Sequence, residues 1–347
     1  MIKILSTILM AAALCPASAE NKDGNFTYYL PKTEVRVSLL IEKTTYTPGR
    51  LADYSDIYFK TRSKSDASVS YRIVGVNFST VGVPDMTKQY DLVIDKKHSI
   101  LNIDCDKNGV LKAINTNGQD VTPPAKFKPA PQQTLPSPND YMSQDILSST
   151  NLPKMAQMVA QEIYDIRDSR NQLARGEADF IPKDGEQLKI MLAQMKTQED
   201  ALMRMFEGTT VTDTTETIVS FVPVKGQSKQ MVFRFSRHFG LTDANDLSGE
   251  PYYAIIEDEQ ILAEPPVVDE KIKKQKDDMI IGINLPGKIK IKLNDGDRTI
   301  ATYNTYAAQF GNVETLSGSL FGKKLTSQIV LDPATGSVIS LKTEPLE

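Results

Sequence analysis

Between Tyr28 and about Asn115 the chain reads as strands, and over 35–41 its apolar positions recur at every second residue, the period of a strand with one buried face. Val35, Val37, Leu39 and Ile41 alternate with Arg36, Ser38 and Leu40, and only Leu40 breaks the pattern. Tyr46-Thr47-Pro48-Gly49 reads as a turn. Leu51, Tyr54 and Tyr58 then fall at spacings of three and four and predict a short helix on the sheet edge. Residues 70–78, 90–94, 99–104 and 110–114 predict further strands, so 20–120 is expected to be an N-terminal β-rich domain.

Pro123, Pro124, Pro129, Pro131, Pro136 and Pro138 crowd the stretch 121–140, which predicts an extended linker outside any sheet interior. Over 141–208 the period changes to that of a helix. Leu152, Met155, Val159, Ile163, Ile166 and Leu173 mark one helix, with Asn151 to cap it and Gly176 to end it. A second starts at Asp184, whose carboxylate is expected to accept the Gln187 N–H, and ends at Gly208. Its apolar face includes Leu188, Met191, Leu192, Met195, Leu202, Met205 and Phe206. Met155, Met158, Met191, Met195 and Met205 read as core filling rather than as soft metal ligands. Glu199 falls on the same seam, where either it pairs with Arg167 or Arg170 of the first helix or the face rotates and it stays in water.

Strands return over 209–347, at 217–222, 230–235, 252–256, 288–293, 299–303, 327–331 and 337–341, while 257–278 reads as a charged loop. The predicted fold is α+β: mainly antiparallel β, in sandwich or meander sheets, with an inserted antiparallel helical hairpin over 141–208 between β-rich domains at 20–120 and 209–347.

The first residues change the setting. Lys3, an apolar run over 4–14 and Ala17-Ser18-Ala19 form the pattern of a secretory signal peptide cleaved after Ala19, which predicts a periplasmic or secreted protein. That run is well short of the roughly twenty residues of a membrane span. Leu14 before Cys15 lacks the small side chain that lipidation needs. Removal of Cys15 leaves Cys105 alone, so stability comes from packing without an intramolecular disulfide. Losing Lys3 takes the net charge from −4 to −5, and no basic stripe marks a nucleic-acid partner.

Candidate chemistry is sparse. Asp104-x-Asp106-x-Asn108-Gly109 matches the opening of a calcium loop, making Asp104, Asp106 and Asn108 the candidate metal ligands. Position twelve is Asn115 instead of a bidentate Glu, and Asn108-Gly109 is also a strong hairpin signal. His98 and His238 have no partner at metal-ligand spacing on a helix and read as surface or satisfied core residues. Neither a Gly-x-Ser-x-Gly elbow nor a phosphate-cradling loop occurs. Glu177 with Asp179, and Glu257 with Asp258, are the carboxylate pairs available to a glycosidase-like mechanism, although solvated loop charge explains them more simply. Tyr252-Tyr253 is the densest aromatic pair, and strand geometry sends its rings to opposite faces.

Five stretches together resemble one family. Tyr29-Leu30-Pro31-Lys32-Thr33, EKTTYTPG over 42–49, DGEQLKIML over 184–192, AQFGNVETL over 308–316 and LDPATGSVISL over 331–341 are similar to domain-of-unknown-function family 4831, exported proteins of Bacteroides-type bacteria. The resemblance implies an envelope setting and carries no catalytic residues. Its turn glycines and prolines beside strand residues suggest architecture. The expectation is a non-enzymatic binding or structural module of the cell envelope, without a cofactor, whose partner is another envelope protein or a glycan. The alternatives are a carboxylate-dependent glycan-active enzyme and a calcium-stabilised β-protein. Nothing in the sequence speaks to oligomeric state.

Overall fold

The computed structural model describes residues 25–93, 95, 97–120, 122, 124–131, 134–178, 184–268 and 277–345. The signal-peptide pattern and Asp179 lie outside them.

The chain opens with two long strands, β1 (Asn25–Thr47) and β2 (Ser68–Val93), linked by a 3-10 turn (Ala52–Tyr54) and α1 (Ser55–Phe59). Short strands β3 (Ile103–Cys105) and β4 (Leu111–Ile114) precede α2 (Gln144–Ser148), α3 (Leu152–Arg175) and α4 (Gly185–Glu207). Strands β5 (Thr209–Phe221), β6 (Lys229–Ser236), β7 (Gly240–Thr242) and β8 (Glu250–Leu262) follow. The chain closes with β9 (Ile280–Asp295), β10 (Arg298–Ser317), β11 (Leu325–Leu331) and β12 (Val338–Pro345). Three antiparallel sheets result, ordered β2-β1-β5, β10-β9-β8-β6-β7 and β12-β11-β4-β3. The α+β architecture with mainly antiparallel β agrees with the periodicity.

The two β-rich stretches are interleaved. Strand β1 pairs with β5, and β4 pairs with β11, so residues from both ends of the chain share two of the sheets. The alternating face of β1 explains why. Val35, Val37, Leu39 and Ile41 are buried against Ile256, Ile289, Ile291 and Leu293 of the five-stranded sheet, so neither sheet covers its apolar face alone. Toward its start, β1 turns Tyr28 and Leu30 into a separate core with Leu111, Ile114, Ile329 and Leu331 of the third sheet. The Tyr28 hydroxyl donates to the Gly282 carbonyl at 3.0 Å, and burial drives its phenol pKa far above the ordinary value.

A polar knot joins these two cores. Pairing between β9 and β10 lapses between Ala307 and Asn312, and there the Gln309 carboxamide pairs with the backbone of Thr33. Its Oε1 accepts the Thr33 N–H at 2.9 Å, while its Nε2 donates to the carbonyls of Thr33 at 2.9 Å and Pro223 at 3.0 Å. Fully buried Thr33 donates its hydroxyl to the Ala334 carbonyl and accepts the Ala308 N–H, both at 3.0 Å. Buried Asn284 donates to the carbonyls of Pro31 and Thr335 at 2.9 and 2.8 Å. The Asp332 carboxylate closes the 332–336 turn by accepting the N–H groups of Ala334 and Thr335. That turn lies so close to Gly82 that a Cβ there would collide with the Pro333 carbonyl. Pro31 is tolerated in β1 because β5 pairs only from Val35 onward, leaving that flank outside a ladder.

The helical pair agrees closely with its periodicity. The Asn151 side chain accepts the Lys154 N–H, Gly176 ends α3 with φ 76°, and Gly208 caps α4. Asp184 accepts from Glu186 at 3.0 Å, one residue earlier than expected. Glu199 is buried and bound by both arginines, by Arg167 Nε at 2.6 Å and by Arg170. The segment 51–58 is helical as predicted but docks on the helical pair instead of a sheet edge. Leu51 donates its N–H to the Met205 carbonyl at 2.7 Å, satisfying one of the orphan acceptors of the last turn of α4. Leu51, Tyr54 and Tyr58 pack with Val159, Leu202 and Phe206. The Tyr46 hydroxyl binds the carbonyls of Lys64 and Glu207 at 2.9 Å each. Two other expectations need correction: β8 continues as strand through Leu262, and of 99–104 only the end joins β3, because the Asn115 carboxamide takes up the N–H groups of Leu101 and Asn102.

The described residues of the proline-rich stretch lie outside the ladders, as their composition requires, yet they are fastened to the body. The Phe127 N–H donates to Glu216 at 3.0 Å, Ser38 donates to the same carboxylate, and Arg204 binds the Pro136 carbonyl. The Ser38 hydroxyl, followed by the Phe127 N–H, holds the Glu216 carboxyl below its ordinary 4.5.

Gln309→Leu strands the donor and acceptor of Thr33 in the interior and is expected to lower stability by about 2–4 kcal/mol in urea unfolding, against less than ~0.5 kcal/mol for exposed Asn304→Ala. Glu199→Ala leaves two half-buried guanidinium groups without their carboxylate. A loss of about 2–3 kcal/mol is expected, with faster amide exchange in α3 and α4. Because the folded-state pKa of Glu216 is depressed, its contribution is present above pH 4.5 and is lost as pH falls through the folded value. The Phe127 amide resonance should therefore titrate only below pH 4.5, and that titration should vanish in Glu216→Gln.

Candidate functional site

A cleft of about 970 Å³ opens along residues 70–76 of β2 and faces Ile300 and Ala301 of β10. Phe235 of β6 and Tyr252 of β8 line its inner part. Tyr252 is buried, stacked on Phe233 with ring centroids 4.7 Å apart and edge-on to Phe235 at 6.3 Å. Burial, and after it the negative charge of Asp295, pushes its phenol up to about 12. At neutral pH Tyr252 is thus a protonated hydrogen-bond donor held in an aromatic stack, and it is unsuited to act as a base. Strand alternation sends neighbouring Tyr253 the other way, where Lys229 sits 4.0 Å from its ring centroid.

The cleft also carries charge of both signs. Arg72 binds Glu42 at 2.7 Å, and Arg298 binds Asp295 at 3.2 Å. Arg237 and Glu250 add one exposed charge each. Two of the three carboxylates, Glu42 and Asp295, are thus each paired with a guanidinium.

The residues singled out in the sequence lie apart from this cleft. Asp104 accepts the Gly118 N–H at 2.8 Å and pairs with Lys112 at 3.3 Å. Asp106 accepts the N–H groups of Asn108 and Val110, both at 2.8 Å, and so closes the β3–β4 turn, while Asp104 ties the chain after β4 back to β3. Asn108 is exposed on that turn, and no group of three or more His, Cys, Asp or Glu among the described residues is placed to hold a metal ion. Glu177 lies 4.0 Å from Arg175 on the loop after α3. Glu257 is bound by Lys292, and Asp258 accepts the Gln260 N–H. His238 is exposed in the β6–β7 turn. Burial pushes the Cys105 thiol up to about 12, which leaves it a poor nucleophile.

One constellation escaped the sequence reading. His98 is held between two acids, with Nδ1 at 2.8 Å from Asp95 and Nε2 at 3.1 Å from Asp277. The Asp95 spacing is local and was visible, but Asp277 is 179 residues away and nothing local signals it. Desolvation works to raise the Asp95 carboxyl pKa, yet the N–H groups of Lys97 and His98, together with the imidazole, hold it below its ordinary value. With both ring nitrogens engaged, the trio fastens the β2–β3 connection to the start of β9. A general base needs a ring nitrogen free for substrate.

Among the described residues, no helix is long and apolar enough to cross a membrane. No curated protein and no solved structure matches the chain. A family model, a domain of unknown function, matches residues 24–339 and takes in four of the five family-like stretches and most of the fifth. Three of those stretches, those containing Thr33, Gln309 and Asp332, meet in the polar knot, and EKTTYTPG carries Tyr46 to the end of α4. By that match, over nearly its whole length, the chain belongs to the domain-of-unknown-function family DUF4831.

Proposed function

We propose that this chain is an exported, non-enzymatic module of a bacterial cell envelope, of the Bacteroides type, that binds another envelope component. The observation that carries this reading is the use made of polar side chains. Those in the family-like stretches close the backbone of the fold, as the Gln309 and Thr33 pairing exemplifies. Those in the cleft form arginine–carboxylate pairs around an aromatic stack, and such mixed surfaces recognise partners. Export is supported by the pattern of Lys3, the apolar run over 4–14 and Ala17-Ser18-Ala19.

Two measurements test the proposal. The form purified from the envelope fraction of expressing cells should begin at Glu20 on N-terminal sequencing; retention in the cytoplasm with Met1 intact would refute export. That form, incubated with peptidoglycan, bacterial polysaccharides and a peptide mixture, should leave each unchanged by mass spectrometry. Turnover of any of them would overturn the non-enzymatic reading.

A further inference from the structure

We infer that the cleft along β2 takes up an extended polypeptide segment as an added strand, and that this is how the module holds its partner. The inference rests on the binding reading given above. Among the described residues β2 and β10 each have one strand neighbour in their sheets, so each has an edge outside the ladders, that of β2 being occupied only at Tyr71 within 70–76 by a backbone partner beyond its sheet. The wall formed by residues 70–76 is unbroken in sequence. Successive side chains of a strand point to opposite faces, so a wall in which all seven consecutive residues appear is the edge of the strand, with its peptide groups. Within that run, Tyr71 already donates its N–H outward, to the Arg237 carbonyl at 2.8 Å, which gives the hydrogen-bonding direction a guest would continue. Across the cleft, consecutive Ile300 and Ala301 form the facing wall at a shift in the β9–β10 register. A row of peptide groups beside a roomy groove is a template for strand addition.

The lining defines the guest. Tyr71, Ile73 and Phe235 belong to the apolar core beneath, so alternate guest residues facing inward are apolar. Arg72 and Glu42 stand on the other side of β2, so the intervening residues are polar or charged. Three guanidinium groups and three carboxylates line the cleft, which makes the placement of guest charges decisive and net charge indifferent. A second copy of this chain is the poorer occupant. Laid antiparallel about the middle of 70–76, it would bring its own Arg72 onto the same face as this one, and like charges at that range repel. The register shift between Ile73 and Gly75 also interrupts indiscriminate pairing.

The test uses the isotope-labelled mature chain and peptides selected on it from a displayed random library. Selected peptides should alternate apolar and polar residues, and their binding should slow amide exchange within 70–76 by about tenfold or more. N-methylation of one alternate set of peptide residues should abolish binding, while methylation of the other set is tolerated. Arg72→Gln, at a largely exposed position, removes the charge without setting a second carboxylate opposite Glu42, and should weaken the selected peptides by roughly tenfold with little change in melting temperature. Failure to select any peptide, protection elsewhere in the chain, or equal sensitivity to both methylated sets would overturn strand addition and leave the module reading intact. So would dimers formed through this edge, or cell-wall oligosaccharides that occupy the cleft with no change in exchange within 70–76. Cleavage of a bound peptide would instead refute the non-enzymatic reading.

Discussion

Where β10 parts from β9 between Ala307 and Asn312, the Gln309 carboxamide offers Thr33 the donor and acceptor that an adjacent strand would have supplied. A buried peptide group without partners costs more than a made hydrogen bond returns, so a bulge inside a core is tolerated only if something replaces the missing ladder. One side chain does so here, and by reaching Pro223 as well it also ties in the chain beyond β5. The sandwich core around Val35 and the separate core around Leu30 can then share the same long strands.

The same principle recurs at smaller scale. Glu199 is accepted on a helix seam because two arginines surround it, and Leu51 closes the end of α4 by donating to its Met205 carbonyl. His98 engages one acid on each ring nitrogen. Polar groups used in this way hold together segments that are distant in sequence.

Element positions were largely legible because they depend on short-range periodicity. The alternation of Val35, Val37, Leu39 and Ile41, the caps at Asn151 and Gly176, and the opposed rings of Tyr252 and Tyr253 all follow from neighbours within a few residues. Pairing was not legible. That β1 meets β5 across the whole helical insertion depends on which apolar faces fit, and no local pattern encodes it. The cleft was hidden for the same reason, since Glu42, Arg72, Tyr252 and Arg298 come from four different strands. Gln309 gave no sign of its role, because a glutamine that imitates a peptide group looks like any other until the strand opposite is known. The family-like stretches did suggest architecture, and the knot is the physical content of that suggestion.

The register of β1 with β5 has a consequence for how the molecule is made. Val35 pairs with Phe221, so at ordinary synthesis rates roughly ten to forty seconds separate the emergence of the two from the ribosome. Once β2 has followed β1, the ribbon they form has its apolar face bare and one flank open for the rest of that interval, waiting for chain that does not yet exist. Long-range pairing of this kind folds slowly and exposes aggregation-prone surface on the way. Wherever the chain folds, its first ribbon can be covered only once β5 and the five-stranded sheet are present.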